Sequence, residues 1–275
     1  MAYTGAMEPS RPARTALITG ASAGIGQALA RVFAQEGFNL VLTARRADRL
    51  EALAAELCSA YGCSVRVVVE DLADPGAPAR IFEDVTRAGI HVDALVNNAG
   101  YGLTGSFIDS SWQAHQDFLQ VMVTAVAELT YRCLPGMLDR KRGWIINVAS
   151  VAGLVPPTAG HTLYGASKSL VIKFSQSLAA EVKGDGVHVS ALCPGFTYSE
   201  FHDVNGMREK VSRFPGWVWL QADQVAREGY DAVMRGQTVC VNGWPYRILI
   251  QLLRYLPQWL VNGAVRSTAR TYRKA

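Results

Sequence analysis

The chain has 275 residues, 49% of them apolar and 18% charged, with a formal net charge of +4. That is enough apolar material for one large core, and no second domain is needed. Five cysteines, an odd number without a repeated close pairing, argue for reduced thiols over a disulfide framework.

Residues 1–13 contain Gly5, Pro9, Ser10 and Pro12 and read as a flexible lead-in, without the apolar stretch of a signal peptide. A cytoplasmic location is the expectation. The apolar run Ala16-Leu17-Ile18 is a strand, and Thr19-Gly20-Ala21-Ser22-Ala23-Gly24-Ile25-Gly26 leads from it into a helical pattern through Ala28, Leu29, Val32 and Phe33. In such a turn Gly20 can take positive φ, Gly24 lets backbone approach a phosphate, and Gly26 lets helix and strand pack closely. A plain strand-to-helix turn is the alternative reading.

A second strand, Leu40 to Ala44, ends at Arg45-Arg46. A carboxylate is expected there for the ribose diol of NAD, whereas two arginines suit a ribose phosphate. Further strands read at Val65 to Val69, Ala94 to Asn97, Trp144 to Val148, Val187 to Cys193 and Val239 to Val241, with helices between them. The alternation predicts an α/β fold, a doubly wound parallel sheet of Rossmann type in one domain over 14–243.

Tyr164 and Lys168 stand four apart in Tyr164-Gly165-Ala166-Ser167-Lys168, on one helix face. A tyrosine titrates near pH ~10, and a nearby lysine cation lowers that value, which makes the pair a candidate general acid/base. By itself such a pair is more often two neighbours on a solvated face.

Phe201, Phe214, Trp217, Val218 and Trp219, broken by Gly206, Pro215 and Gly216, suit a lid over an apolar pocket at about 199–220. A hydrophobic substrate is expected there, with Phe201, Trp217 and His161 as candidate contacts. The other histidines, His91, His115, His188 and His202, show no ligand spacing and read as surface or loop residues, so no metal is expected.

From Ala232 onward there are seven basic residues and no acidic ones, more than the whole chain's net +4, so the remainder is net negative. The tail over 244–275 includes Ile248 to Leu256 and Trp259-Leu260-Val261, too short to span a bilayer. A subunit interface or a cap on the pocket ranks above a membrane-peripheral contact. No nucleic-acid motif accompanies the arginines.

In order, the Gly20–Gly26 turn, Asp71-Leu72, Asn97-Asn98-Ala99-Gly100, Ser150, Tyr164-x-x-x-Lys168 and Pro194-Gly195 resemble the short-chain dehydrogenase/reductase family from about Arg14 to Gly243. The resemblance implies Ser150, Tyr164 and Lys168 as the catalytic set, with NADP(H) favoured over NAD(H). It implies cofactor contacts from Gly20, Ser22, Gly24, Ile25 and Gly26 in the turn, and from Arg45 and Arg46. Asp71 and Leu72 would lie at the adenine, and Asn97, Ala99 and Gly100 under the adenosine ribose. Pro194, Gly195, Thr197 and Ser199 would hold the carboxamide, while Tyr164 and Lys168 also face the nicotinamide end. For Asp71 and Asn97 the alternative is turn capping. A homodimer or homotetramer is the implied assembly.

Two features depart from the family pattern. The interval from Ser150 to Tyr164 is one residue longer than usual, which places an extra residue in Pro156-Pro157-Thr158. Met122 stands where the family commonly has an asparagine supporting a helix distortion and a proton relay, so the relay is expected to be weakened or rearranged. A cofactor-binding relative with little turnover is the runner-up reading.

Overall fold

The computed structural model describes residues 14–157, 159–160, 162–200 and 215–255. The strands β1 (Thr15–Thr19), β2 (Asn39–Ala44), β3 (Val65–Val69), β4 (Ala94–Asn97), β5 (Gly143–Val148), β6 (Val187–Cys193) and β9 (Val239–Val241) form one sheet in the order β3-β2-β1-β4-β5-β6-β9. Every pairing is parallel, with Leu17 beside Val41 on one side and Leu95 on the other. Parallel strands need crossovers, which here are the helices α1 (Gly24–Gln35), α2 (Ala47–Tyr61), α3 (Ala77–Arg87), α4 (Trp112–Leu119) with α5 (Ala125–Asp139), α6 (Thr162–Glu181) and α7 (Ala222–Met234).

Both faces of the sheet are covered, so its strands read as unbroken apolar runs. On β1, Ala16 and Ile18 point to one core with Leu29, Phe33, Leu50, Leu53 and Val225, supplied by α1, α2 and α7. Leu17 points to the other core with Ile81, Leu129, Met137 and Leu178, supplied by α3, α5 and α6. Phe33, Phe38 and Tyr230 meet edge to face in the first core, with centroids 5.0 to 6.5 Å apart.

Beyond β6 the chain makes β7 (Thr197–Tyr198), which pairs with β8 (Leu220–Gln221) in a separate two-stranded ribbon. After β9 comes α8 (Trp244–Tyr255). Tyr246 and Ile250 are buried in the first core, while Trp244, Ile248, Leu249, Leu252 and Tyr255 are exposed.

The strand order reverses at β1, between β2 and β4, and a crevice opens at the carboxyl ends of the strands at such a point. The residues after β1, β2, β4, β5 and β6 all gather there.

Candidate active site

Gly20 and Gly24, at the turn after β1, both have positive φ, +65° and +56°. A Cβ on Gly20 would lie 2.8 Å from the Ala99 backbone and from the Asn98 amide, and one on Gly26 would overlap the Gly20 carbonyl. The turn therefore excludes side chains at these positions. Asn98 clamps it, its Nδ2 donating to the carbonyls of Thr19 (2.9 Å) and Gly20 (3.2 Å). The Thr19 hydroxyl completes the clamp by accepting from the N–H groups of Asn98 and Ala99. Sequence reasoning assigned no role to Asn98; its signal was a carboxamide just past the strand that pairs with β1. Ile25 packs against the first core.

Asn97 does something different from the expectation. Its side chain points into the protein, where Nδ2 donates to Asn147 Oδ1 (2.8 Å) and Thr130 Oγ1 (3.1 Å). Asn147 in turn donates to Ser175 on α6 at 2.9 Å. This buried network ties β4 and β5 to α5 and α6, so the Asn97 side chain braces the scaffold. The cause is the strand period: Asn97 and Asn147 are register partners facing the same side.

The two arginines after β2 diverge. Arg45 is 72% exposed and lies 3.7 Å from Asp71. Asp71 also accepts from its own turn at the Ala73 N–H (3.0 Å), so the capping reading describes its contacts. Leu72 is buried in the second core. Arg46 turns inward, donating to Ser22 Oγ from Nε (3.2 Å) and Nη2 (3.0 Å) and to Glu200 from Nη1 (2.8 Å). Arg49 donates to the other Glu200 oxygen at 2.5 Å. These guanidinium groups hold the Glu200 carboxyl below its ordinary range. Arg49 and Glu200 were missed; a basic residue one turn into α2 was the available signal for Arg49. Beside them a cleft of about 740 Å³ is lined by Ser22, Gly24, Gln27, Arg49, Tyr198 and Glu200.

Ser150 follows β5 in extended conformation and accepts from the Ala152 N–H at 3.1 Å. A short 3-10 turn, Val151–Gly153, then packs on α6, where a Cβ on Gly153 would lie 2.7 Å from the Lys168 and Ser169 backbone. This close approach brings Ser150 to Tyr164, and their hydroxyls are hydrogen-bonded. The one-residue-longer interval between them does not separate the pair. Lys168 is buried, donates from Nζ to the Val148 carbonyl at 2.7 Å, and lies 5.9 Å from the centre of the Tyr164 ring.

The expected lowering of the Tyr164 value is not what the geometry gives. Burial pushes the phenol up to about 12, and the Ser150 hydrogen bond opposes this only in part. Burial also holds the Lys168 ammonium down at about 8. Lys168 directs its ammonium to the Val148 carbonyl, and the desolvation of the phenol is not offset.

Past β6, the Pro194 carbonyl accepts from the Val151 N–H (3.0 Å) and from Ser150 Oγ (3.5 Å), joining this turn to Ser150. Gly195 lies against the Tyr246 ring. Thr197 is buried with its hydroxyl on the Gly195 carbonyl, and Ser199 abuts Gly24. Trp217 is 61% exposed and stacks on Trp244 with centroids 6.1 Å apart, so its observed partner is α8. His161, Phe201, residues 201–214 of the expected lid and residues 256–275 of the tail lie outside the described residues.

His115 corrects the expectation of a surface histidine. It is 5% exposed on α4, stacked on Phe107 at 4.5 Å with Nε2 donating to the Phe107 carbonyl. His188 lies on β6 with Nδ1 at 3.1 Å from the Val233 carbonyl, on a strand and not in a loop. Met122 is 1% exposed, in the helix core, and its sulfur fills the space above Gly100. A π-helical segment, Gln120–Thr124, surrounds it, so the distortion is present without an asparagine.

Among the described residues no cluster of three or more His, Cys, Asp or Glu could hold a metal, and no helix is long and apolar enough to cross a membrane.

The family model for short chain dehydrogenases matches residues 14–209. The chain is 38% identical over 183 residues to the oxidoreductase UcpA of Escherichia coli K12, covering 66% of this chain and 69% of that one. Among solved structures it is similar to a short-chain dehydrogenase from Sphingobium yanoikuyae in complex with NADPH, at TM-score 0.76 and 32% identity, over 83% of this chain and 87% of that one. It is also similar to a bulky-bulky ketone specific alcohol dehydrogenase from Comamonas testosteroni, at TM-score 0.74 and 28% identity, over 90% and 96% of the two chains.

Proposed function

The chain belongs to the short-chain dehydrogenase family of oxidoreductases, and on that footing we propose that it transfers hydride between NADP(H) and a hydrophobic carbonyl or secondary alcohol. The observation that carries this reading is the meeting of Ser150, Tyr164 and buried Lys168 at the carboxyl edge of the sheet. The cleft fits a dinucleotide: the glycine turn leaves no room for side chains at the start of α1, and two guanidinium groups flank it. Arg46, Arg49 and Ser22 would hold a ribose phosphate. The two arginines and the NADPH complex of the Sphingobium relative support NADP(H) over NAD(H).

When bound, the nicotinamide supplies or accepts the hydride. Ser150 donates its hydroxyl hydrogen to the carbonyl oxygen of the substrate, which stabilises charge developing there. Tyr164 passes its phenol proton to the same oxygen in reduction and recovers it in oxidation. The Lys168 ammonium stabilises negative charge on the phenol oxygen and presents donors to the cofactor ribose. Burial of both groups strengthens these interactions by excluding water.

The aromatic stacks of Tyr198 on Trp219 and of Trp217 on Trp244, in the chain that follows β6, support a hydrophobic substrate. The exposed apolar face of α8 supports assembly into a homodimer or homotetramer more than a membrane-peripheral contact. Oxidation of NADPH, and separately NADH, against carbonyls graded from small and polar to long and apolar tests the proposal. Turnover that favours NADPH, grows with apolar size and vanishes in Tyr164→Phe is expected; tight NADPH binding without turnover on any carbonyl would sink it.

A further inference from the structure

We propose that Glu200 is a built-in competitor for the ribose phosphate of NADP(H) and thereby sets how far the chain discriminates between phosphorylated and unphosphorylated cofactors. This rests on the assignment of Arg46, Arg49 and Ser22 as the phosphate receptor. Glu200 already occupies that receptor. One carboxylate oxygen takes Arg46 at 2.8 Å and the other takes Arg49 at 2.5 Å, while Arg46 also donates twice to Ser22.

The carboxylate reaches the receptor from across the cleft. Arg46 and Arg49 sit at the start of α2, whereas Glu200 follows β7 and Ser199, whose Cβ would lie 3.0 Å from a Cβ on Gly24. Its backbone is therefore fixed beside the glycine turn, and only the side chain has to move to expose the guanidinium groups. Those groups are 42% and 44% exposed, and ion pairs of that exposure are weak enough to be displaced. A phosphate dianion offers more oxygens and more charge than a carboxylate and wins the exchange.

The unphosphorylated cofactor presents ribose hydroxyls, which donate. A carboxylate in place accepts from them, so NAD(H) does not require Glu200 to leave. Glu200 thus lowers affinity for one cofactor by the fraction of time it occupies the receptor and spares the other. An NAD-type carboxylate normally expected after β2 is here supplied by the opposite wall.

Calorimetric titration of the full chain with NADP⁺ and NAD⁺ tests this in wild type, Glu200→Gln and Arg46→Ala. Glu200→Gln is expected to tighten NADP⁺ about fivefold, the size of an occupancy held by two exposed ion pairs, with NAD⁺ affinity unchanged or weaker. Unchanged NADP⁺ affinity in Glu200→Gln, or equal tightening of both cofactors, overturns the proposal. Arg46→Ala separates the two levels of the argument. If it weakens NADP⁺ while Glu200→Gln does nothing, only the competitor role falls; if it leaves NADP⁺ untouched, the receptor assignment falls and takes the competitor role with it.

Discussion

Tyr246 fills the space that any side chain at Gly195 would need, since a Cβ there would overlap its phenol ring. The Tyr246 hydroxyl accepts from the Phe196 N–H at 2.9 Å and donates to the Val218 carbonyl at 2.7 Å. One residue of α8 thus fixes the turn after β6 and the chain entering β8, between which Thr197 and Ser199 lie.

Gly195→Ala should therefore destabilise the protein by about 2 kcal/mol through overpacking against a ring that is itself hydrogen-bonded. Tyr246→Phe keeps the ring but removes the hydroxyl's bonds to the Phe196 N–H and the Val218 C=O, at about 1 to 2 kcal/mol. Urea unfolding of the two variants is the check. A neutral Gly195→Ala would mean that the ring is free to retreat.

Asp93 has a 4% exposed side chain that accepts from the Thr15 N–H and from Arg142, each at 3.0 Å. Asp93→Ala strands both donors and should cost about 3 kcal/mol. Thermal unfolding would register this as a large fall in midpoint, and a shift no greater than that of an ordinary surface substitution would contradict it.

Adjacent asparagines after β4 should separate into two phenotypes. Asn97→Ala breaks the buried network to Asn147 and Thr130 and should lower stability by about 2 kcal/mol while cofactor affinity stays near wild type. Asn98→Ala releases the glycine turn and should weaken cofactor binding. Denaturation and cofactor titration on both variants decide it, and the reverse pattern would show the roles to be exchanged.

The pH dependence follows from Lys168 at about 8 and Tyr164 at about 12. Carbonyl reduction as proposed would use the Tyr164 proton, which persists across the neutral range, and the Lys168 charge, which is lost as pH rises through about 8. The kcat/KM for reduction should fall above that value in a single step that Lys168→Met abolishes together with most of the rate. Stability moves the other way. The unfolded chain keeps this lysine protonated up to 10.5, so between about 8 and 10.5 it binds more protons than the folded chain and folding gains with pH. The stability advantage of Lys168→Met over wild type should accordingly shrink across that window; an advantage constant in pH would mean the lysine is not desolvated.

The parallel sheet, the strand positions and the Tyr164–Lys168 pair were legible because each depends on local pattern, whereas Ser150 joined that pair through the family resemblance. Apolar runs, glycines and a four-residue helical spacing survive without knowledge of distant partners. What escaped depends on pairs far apart in the chain. Arg46 and Glu200 are 154 positions apart, and Phe196 and Tyr246 are 50 apart. The direction in which Asn97 faces is set by its neighbour on β5, and the raised Tyr164 value by burial; neither is written in adjacent residues.

The ribbon of β7 and β8 brings the chain that follows β6 beside the chain that enters α7. Thr197 pairs with Leu220 and Tyr198 with Gln221. The ribbon thereby holds Ser199 and Glu200, beside Gly24 and Arg46, to the strand that leads into α7.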